Sequence, residues 1–204
     1  MLSKTQKFGF FGIIVIIIFI IILLMPKTKT FSEPNTLTIS NDFFELLEDG
    51  DIICRLGDRF WSNLFKDVSE TDKRFSHMGI VYKSDTELKI INSEGDTGHG
   101  MDFVNMVELA DFLRVARTVG VYRLQSENRV KLSQIALEYL NTPFDWQFDM
   151  SNADKLYCTE LLYVVLKRIG LDLDTVFVKE LSRDIIPLDS VSNSKLFLEI
   201  IFLK

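Results

Sequence analysis

Positive charge, histidine and cysteine are all scarce in this chain. Its 204 residues include 23 Lys or Arg against 29 Asp or Glu, with two His and two Cys. The basic deficit argues against nucleic acid as a partner, because phosphate binding rests on clustered Lys and Arg. Two cysteines, Cys54 and Cys158, cannot build a disulfide framework, although a single bridge between them is open to the chain in an oxidising compartment. No C-x-x-C or H-x-x-x-H spacing occurs, so no metal is expected. Nor is there a P-loop, a G-x-G-x-x-G or a G-x-S-x-G, and no cofactor is expected either.

What the chain does have is apolar mass: 47% hydrophobic residues and 17 phenylalanines, enough for one folded domain with a sizeable core. It also has one long hydrophobic run, residues 8–25, flanked by Lys4, Lys7, Lys27 and Lys29. At the helical rise, a run of this length extends about 27 Å, just enough to cross a hydrocarbon core. It exceeds a usual signal-peptide apolar region and no small-residue cleavage site follows, so residues 1–30 read as an uncleaved membrane anchor. The short lysine-bearing tail would stay in the cytoplasm and the rest of the chain outside it, on the periplasmic side. Four of the 23 basic side chains lie in these thirty residues and none of the acidic ones, so the remainder carries 19 basic against 29 acidic groups. Pro26 to Leu37, mixed Lys, Thr, Ser and Pro, reads as a tether, with residues 31–40 the linker to a domain over 41–204.

Along that domain a short helix is expected through Phe43 to Leu47, then a strand over 51–56 and an aromatic connection at Phe60, Trp61, Leu64 and Phe65. Two strand-like runs, 76–82 and 87–94, flank a polar turn at Asp85-Thr86. A short helix over 106–113, a strand over 117–124 and an amphipathic helix over 129–140 follow, the last ended by Asn141-Thr142-Pro143. Residues 144–148 form an aromatic-acidic loop. Cys158, Leu161, Leu162, Val165, Leu166 and Ile169 then recur at the spacing of one helix face, with Gly170 as the stop. Residues 184–189 are a turn region and 196–203 a last apolar strand. This order predicts an α+β domain, a small antiparallel sheet packed on helices.

Cys158 thus heads a helix, where the macrodipole and partnerless amides favour thiolate and can hold an oxyanion. A thiol hydrolase also needs a base and a group to orient it. Of the two histidines, His99 lies in a glycine-rich loop and His77 in a strand followed by Gly79. A hairpin symmetrical about Asp85-Thr86 sets Lys83 opposite Leu88 and, continued outward, His77 opposite Glu94. Directly opposed side chains sit about 5 Å apart, within reach of a carboxylate–imidazole bond. Cys158, His77 and Glu94 are therefore the candidate catalytic residues. Ser76 and Tyr157, their chain neighbours, are candidates to line the pocket. Asp145 and Asp149 either line it or face water. Cys54, inside a strand, reads as core.

The segments Gly50-Asp51-Ile52-Ile53, Ser76-His77-Met78-Gly79-Ile80-Val81, the strand ending in Glu94, and Tyr157-Cys158-Thr159-Glu160-Leu161 together resemble the YiiX/YebB-like group of permuted NlpC-type, papain-like cysteine hydrolases. Asn141-Thr142-Pro143-Phe144-Asp145 is similar to that group's Pro-Tyr-Asp region, with Phe144 in place of Tyr, and Ile186-Pro187-Leu188-Asp189 to its C-terminal region. The resemblance implies a circularly permuted papain-like fold, since His77 precedes Cys158. It implies Cys158 as nucleophile, His77 as base and acid, and Glu94 as the orienting residue. The implied chemistry is cleavage of an amide or ester bond in a peptidoglycan-type peptide or a lipid-like acyl substrate. Acyl transfer of the lecithin-retinol type and a catalytically silent membrane-tethered binding module are the alternatives.

Overall fold

The computed structural model describes residues 39–58, 60–95, 102–151, 154–174, 177–180 and 183–204, which all belong to one compact unit spanning 34–204. The expected anchor, most of the linker and His99 lie outside the described residues. Among the described residues no helix is long and apolar enough to cross a membrane.

Six strands form one antiparallel sheet in the order β4-β3-β2-β1-β5-β8: β1 (Ile52–Gly57), β2 (His77–Lys83), β3 (Leu88–Glu94), β4 (Phe103–Glu108), β5 (Ala116–Leu124) and β8 (Phe197–Leu203). A separate hairpin pairs β6 (Val178–Glu180) with β7 (Arg183–Ile185). The helices are α1 (Asn41–Leu46), α2 (Phe60–Val68), α3 (Leu109–Leu113), α4 (Val130–Leu137), α5 (Cys158–Arg168) and α6 (Asp189–Asn193). This is the antiparallel sheet with helices that the sequence predicts.

Apolar layers cover both faces of the sheet, which is why the central strands read as unbroken hydrophobic runs instead of alternating ones. On one face Ile52, Cys54, Met78, Ile80 and Ile91 meet Leu132 and Ala136 of α4 and Leu161, Leu162, Val165 and Leu166 of α5. On the other, Ile53, Val81, Ile90 and Val121 meet Phe43 of α1 and Leu109 and Phe112 of α3.

Three expectations change. The helix expected over 106–113 begins only at Leu109, because 103–108 pairs with β3 as β4 and its side chains alternate between the layers. The connection after β1 is a full nine-residue helix, α2. Within the expected turn at 184–189, Asp189 opens α6, its carboxylate accepting from the N–H groups of Glu70 and Thr71 at 3.0 and 2.8 Å. That anchor is remote in sequence and has no local signature.

Candidate active site

The hairpin register is the expected one where the strands are laddered. Lys83 faces Leu88, Tyr82 faces Lys89, Val81 faces Ile90 and Ile80 faces Ile91. The β2–β3 ladder stops there. Yet β2 stays paired with β1 as far as His77 opposite Arg55, and β3 with β4 as far as Glu94 opposite Phe103. The two middle strands therefore part at the end that carries His77 and Glu94, while each keeps its outer neighbour.

Helix α5 packs on β2 and β3 and brings Cys158 to this gap. Its first residue is Cys158 and its N-cap Tyr157, with extended backbone (φ −96°, ψ 174°). The Glu160 carboxylate accepts the N–H of Tyr157 at 3.4 Å, the reach-back half of a capping box. The approach to the helix is stitched down. Leu156 donates its N–H to Pro143 O at 3.0 Å, and its carbonyl accepts the Ser93 hydroxyl at 2.5 Å. Thr159 donates to Ile186 O at 2.7 Å, and Ile186 N–H donates to the Tyr157 hydroxyl at 3.0 Å. The backbone N–H groups of Met78, Thr159 and Cys158 itself are directed at the Cys158 sulfur. Met78 is the residue after His77, so the thiol lies against the start of β2.

His77 approaches from the other side. Met78 points into the layer beneath α5, and strand alternation turns His77 toward α3, its ring 5.7 Å from that of Phe112. The ring thus lies on the α3 side of the sheet at the first residue of β2, and α5 covers the other side. Its Nε2 lies 2.9 Å from Asn92 Oδ1, and Asn92 Nδ2 donates to Asn105 Oδ1 at 2.8 Å. Glu94 pairs with Arg55 at 2.6 Å, and Arg55 also donates to Phe112 O and stacks on the Phe112 ring at 4.4 Å. Among the described residues no hydrogen bond joins the thiol directly to the imidazole.

The structure thus gathers His77, Glu94 and the Cys158 helix start at one end of the hairpin and adds two residues that the sequence reading missed. Asn92 is two residues before Glu94 on the same strand face, diagonal to His77 across the hairpin; diagonal neighbours lie within reach of long side chains, which is the signal that points to it. Arg55 is directly opposite His77 on β1. The three pocket candidates are buried and occupied with backbone. Ser76 Oγ accepts Gly57 N–H at 3.0 Å, the Tyr157 hydroxyl holds Ile186, and Asp145 accepts the N–H groups of Gln147 and Asp149 at 2.9 and 2.5 Å. Cys54 is buried core, and both cysteines are free thiols.

The electrostatics depart from expectation at Cys158. Burial pushes its pKa up to about 11, against the lowering effect of the three amides and with a further rise from Glu94. Desolvation of the thiolate outweighs the helix terminus. Burial also drives His77 down to about 4; Glu94 and the Asn92 bond oppose the shift, while Arg55 adds to it. At rest Cys158 is therefore a thiol and His77 a neutral imidazole.

A family model described as "Permuted papain-like amidase enzyme, YaeF/YiiX, C92 family" matches residues 46–191. Among solved structures, one described as the metalloprotein yiiX from Escherichia coli O157:H7 superposes with a TM-score of 0.63 at 18% identity, covering 76% of this chain and 96% of that one. No curated protein matches. Among the described residues of this chain, no group of three or more His, Cys, Asp or Glu side chains is arranged to hold a metal ion.

Proposed function

Because the chain belongs to the permuted papain-like amidase family of the YaeF/YiiX type, we propose that it is a membrane-anchored cysteine hydrolase of amide or ester bonds, with Cys158 as nucleophile and His77 as general base. The observation that carries this reading is the thiol at the start of α5, set against the N–H of Met78, the residue after His77, whose own ring nitrogen Nε2 is taken by Asn92.

With Nε2–H donating to Asn92 Oδ1, Nδ1 of His77 carries the lone pair. As Cys158 Sγ attacks the substrate carbonyl carbon, its proton passes to Nδ1 and the carbonyl oxygen becomes an oxyanion facing the Cys158 N–H. Collapse forms the acyl-thioester and breaks the C–N or C–O bond, the leaving amine or alcohol taking the proton from Nδ1. Water then attacks the thioester, Nδ1 again accepting a proton, and the acid departs as the thiol is restored. Glu94 supports the transient imidazolium by charge, while Asn92 orients the ring. The proton moves during attack, because burial opposes an ion pair at rest.

This gives a pH signature. His77 must be neutral to act, so activity rises through about pH 4, its own pKa. A preformed thiolate–imidazolium pair would instead lose activity as the imidazolium deprotonates on the alkaline side. Here no such fall is expected below about pH 10, since the thiol titrates only near 11. The test is release of free acid from a panel of N-acyl amides and acyl esters by wild type and Cys158→Ala across pH 3–10; acid release by wild type alone, half-maximal near pH 4, is the expected result.

The apolar run at 8–25 supports the anchor and an extracytoplasmic domain. Retention of the full chain in the membrane after alkaline carbonate washing is the expected outcome, and release into the wash contradicts it. One observation favours the second reading, a silent binding module: the thiol is protonated and not hydrogen-bonded to His77. Substrate binding by wild type and Cys158→Ala alike, with acid released by neither, selects it.

A further inference from the structure

Both ends of the Asn92 carboxamide are in use. Its Oδ1 meets His77 Nε2 at 2.9 Å and its Nδ2 donates to Asn105 Oδ1 at 2.8 Å. Asn105 is the direct cross-strand partner of Asn92 in the β3–β4 ladder, and such partners stand about 5 Å apart at Cβ. Asn92 is 0% exposed, so solvent cannot take the place of a lost partner, and an unmet amide group there is costly.

A carboxamide is directional: one end only accepts and the other only donates. Turned as it is, Asn92 offers His77 an acceptor, which puts the ring proton on Nε2 and the lone pair on Nδ1. Rotated by half a turn, it would offer a donor. Nε2 would then keep the lone pair, and Nδ1–H could not accept the thiol proton. His77 is held neutral by burial, so its tautomer rather than its charge decides whether it can act.

We propose that Asn105 is a positioning residue: by accepting from Asn92 Nδ2 it fixes the direction of the Asn92 amide and, through it, the tautomer of His77. It touches neither the thiol nor the substrate. The kinetic consequence rests on the hydrolase reading; the tautomer does not, being a property of the resting protein.

The experiment is a long-range proton–nitrogen NMR spectrum of the detergent-solubilised full chain labelled with 15N-histidine, the His77 signals assigned by their loss in His77→Gln. Wild type is expected to show a pyrrole-like Nε2 and a pyridine-like Nδ1. Asn105→Asp, an acceptor of the same shape, retains that pattern and a kcat near that of wild type. In Asn105→Leu the amide is free to turn; the two nitrogen shifts move toward each other, and kcat falls on the order of tenfold or more with KM little changed, as for loss of tautomer control. Should the leucine variant fail to fold, Asn105→Ala carries the same comparison. An unchanged Nε2–H tautomer in the leucine or alanine variant overturns the proposal, as does an aspartate variant that loses as much as they do. A tautomer shift in a protein whose wild type releases no acid upholds the proposal and removes the hydrolase reading.

Discussion

The hairpin of β2 and β3 has a closed end and an open end, built from the same two strands in the same register. At the turn, Ser84 N–H donates to Glu87 O at 2.9 Å, and every pair from Lys83–Leu88 to Ile80–Ile91 is laddered. Beyond Ile80 the strands keep their outer partners and lose each other. The polar groups of the open end turn elsewhere: Met78 N–H to the Cys158 sulfur, the His77 ring to Asn92, Glu94 to Arg55. The open end exchanges ladder hydrogen bonds for a side-chain cluster, and that exchange makes room for a helix to deliver a thiol.

The comparison breaks most sharply at the open end. His77→Ala should lower kcat/KM by ~10²–10⁴, the usual worth of a positioned general base, with a urea-unfolding cost of about 1–3 kcal/mol because it strands the buried Asn92 Oδ1. A large stability loss with activity kept would make His77 a packing residue. Gly79, at the boundary between the two ends, comes next. A Cβ there would run into Ile90 Cγ2 and stand 3.0 Å from Ile91 O and 3.1 Å from Asn92 Cβ. Gly79→Ala should cost about 1–3 kcal/mol in urea unfolding by overpacking and also reduce kcat, since Asn92 must shift. The closed end should be nearly silent: Thr86→Ala, exposed at the turn, should change stability by less than about 0.5 kcal/mol and leave kcat alone.

The register was legible because side chains in strands repeat every two residues and the turn at Asp85-Thr86 fixes the phase. The start of the Cys158 helix was legible from three-and-four spacing closed by Gly170, which adopts φ 78° there. The parting of β2 from β3 was not, because it depends on α5, a segment remote in sequence that presents Cys158 to Met78. Asn92 escaped notice because direct opposition favoured Glu94, whereas in the folded chain the carboxylate pairs with Arg55 and the diagonal amide takes the ring nitrogen. The state of the thiol escaped for a different reason. A helix terminus is visible in sequence and lowers a cysteine pKa, but the burial that raises it to about 11 belongs to the assembled layers.

The central claim is that Cys158 carries the acyl group. Wild-type protein mixed with an activated acyl ester, acid-quenched within the first turnover and examined by intact mass and peptide mapping, should show one acyl increment on the peptide containing Cys158 and none on that containing Cys54. An increment on Cys54, or turnover with no increment on Cys158 at any quench time, would contradict the account.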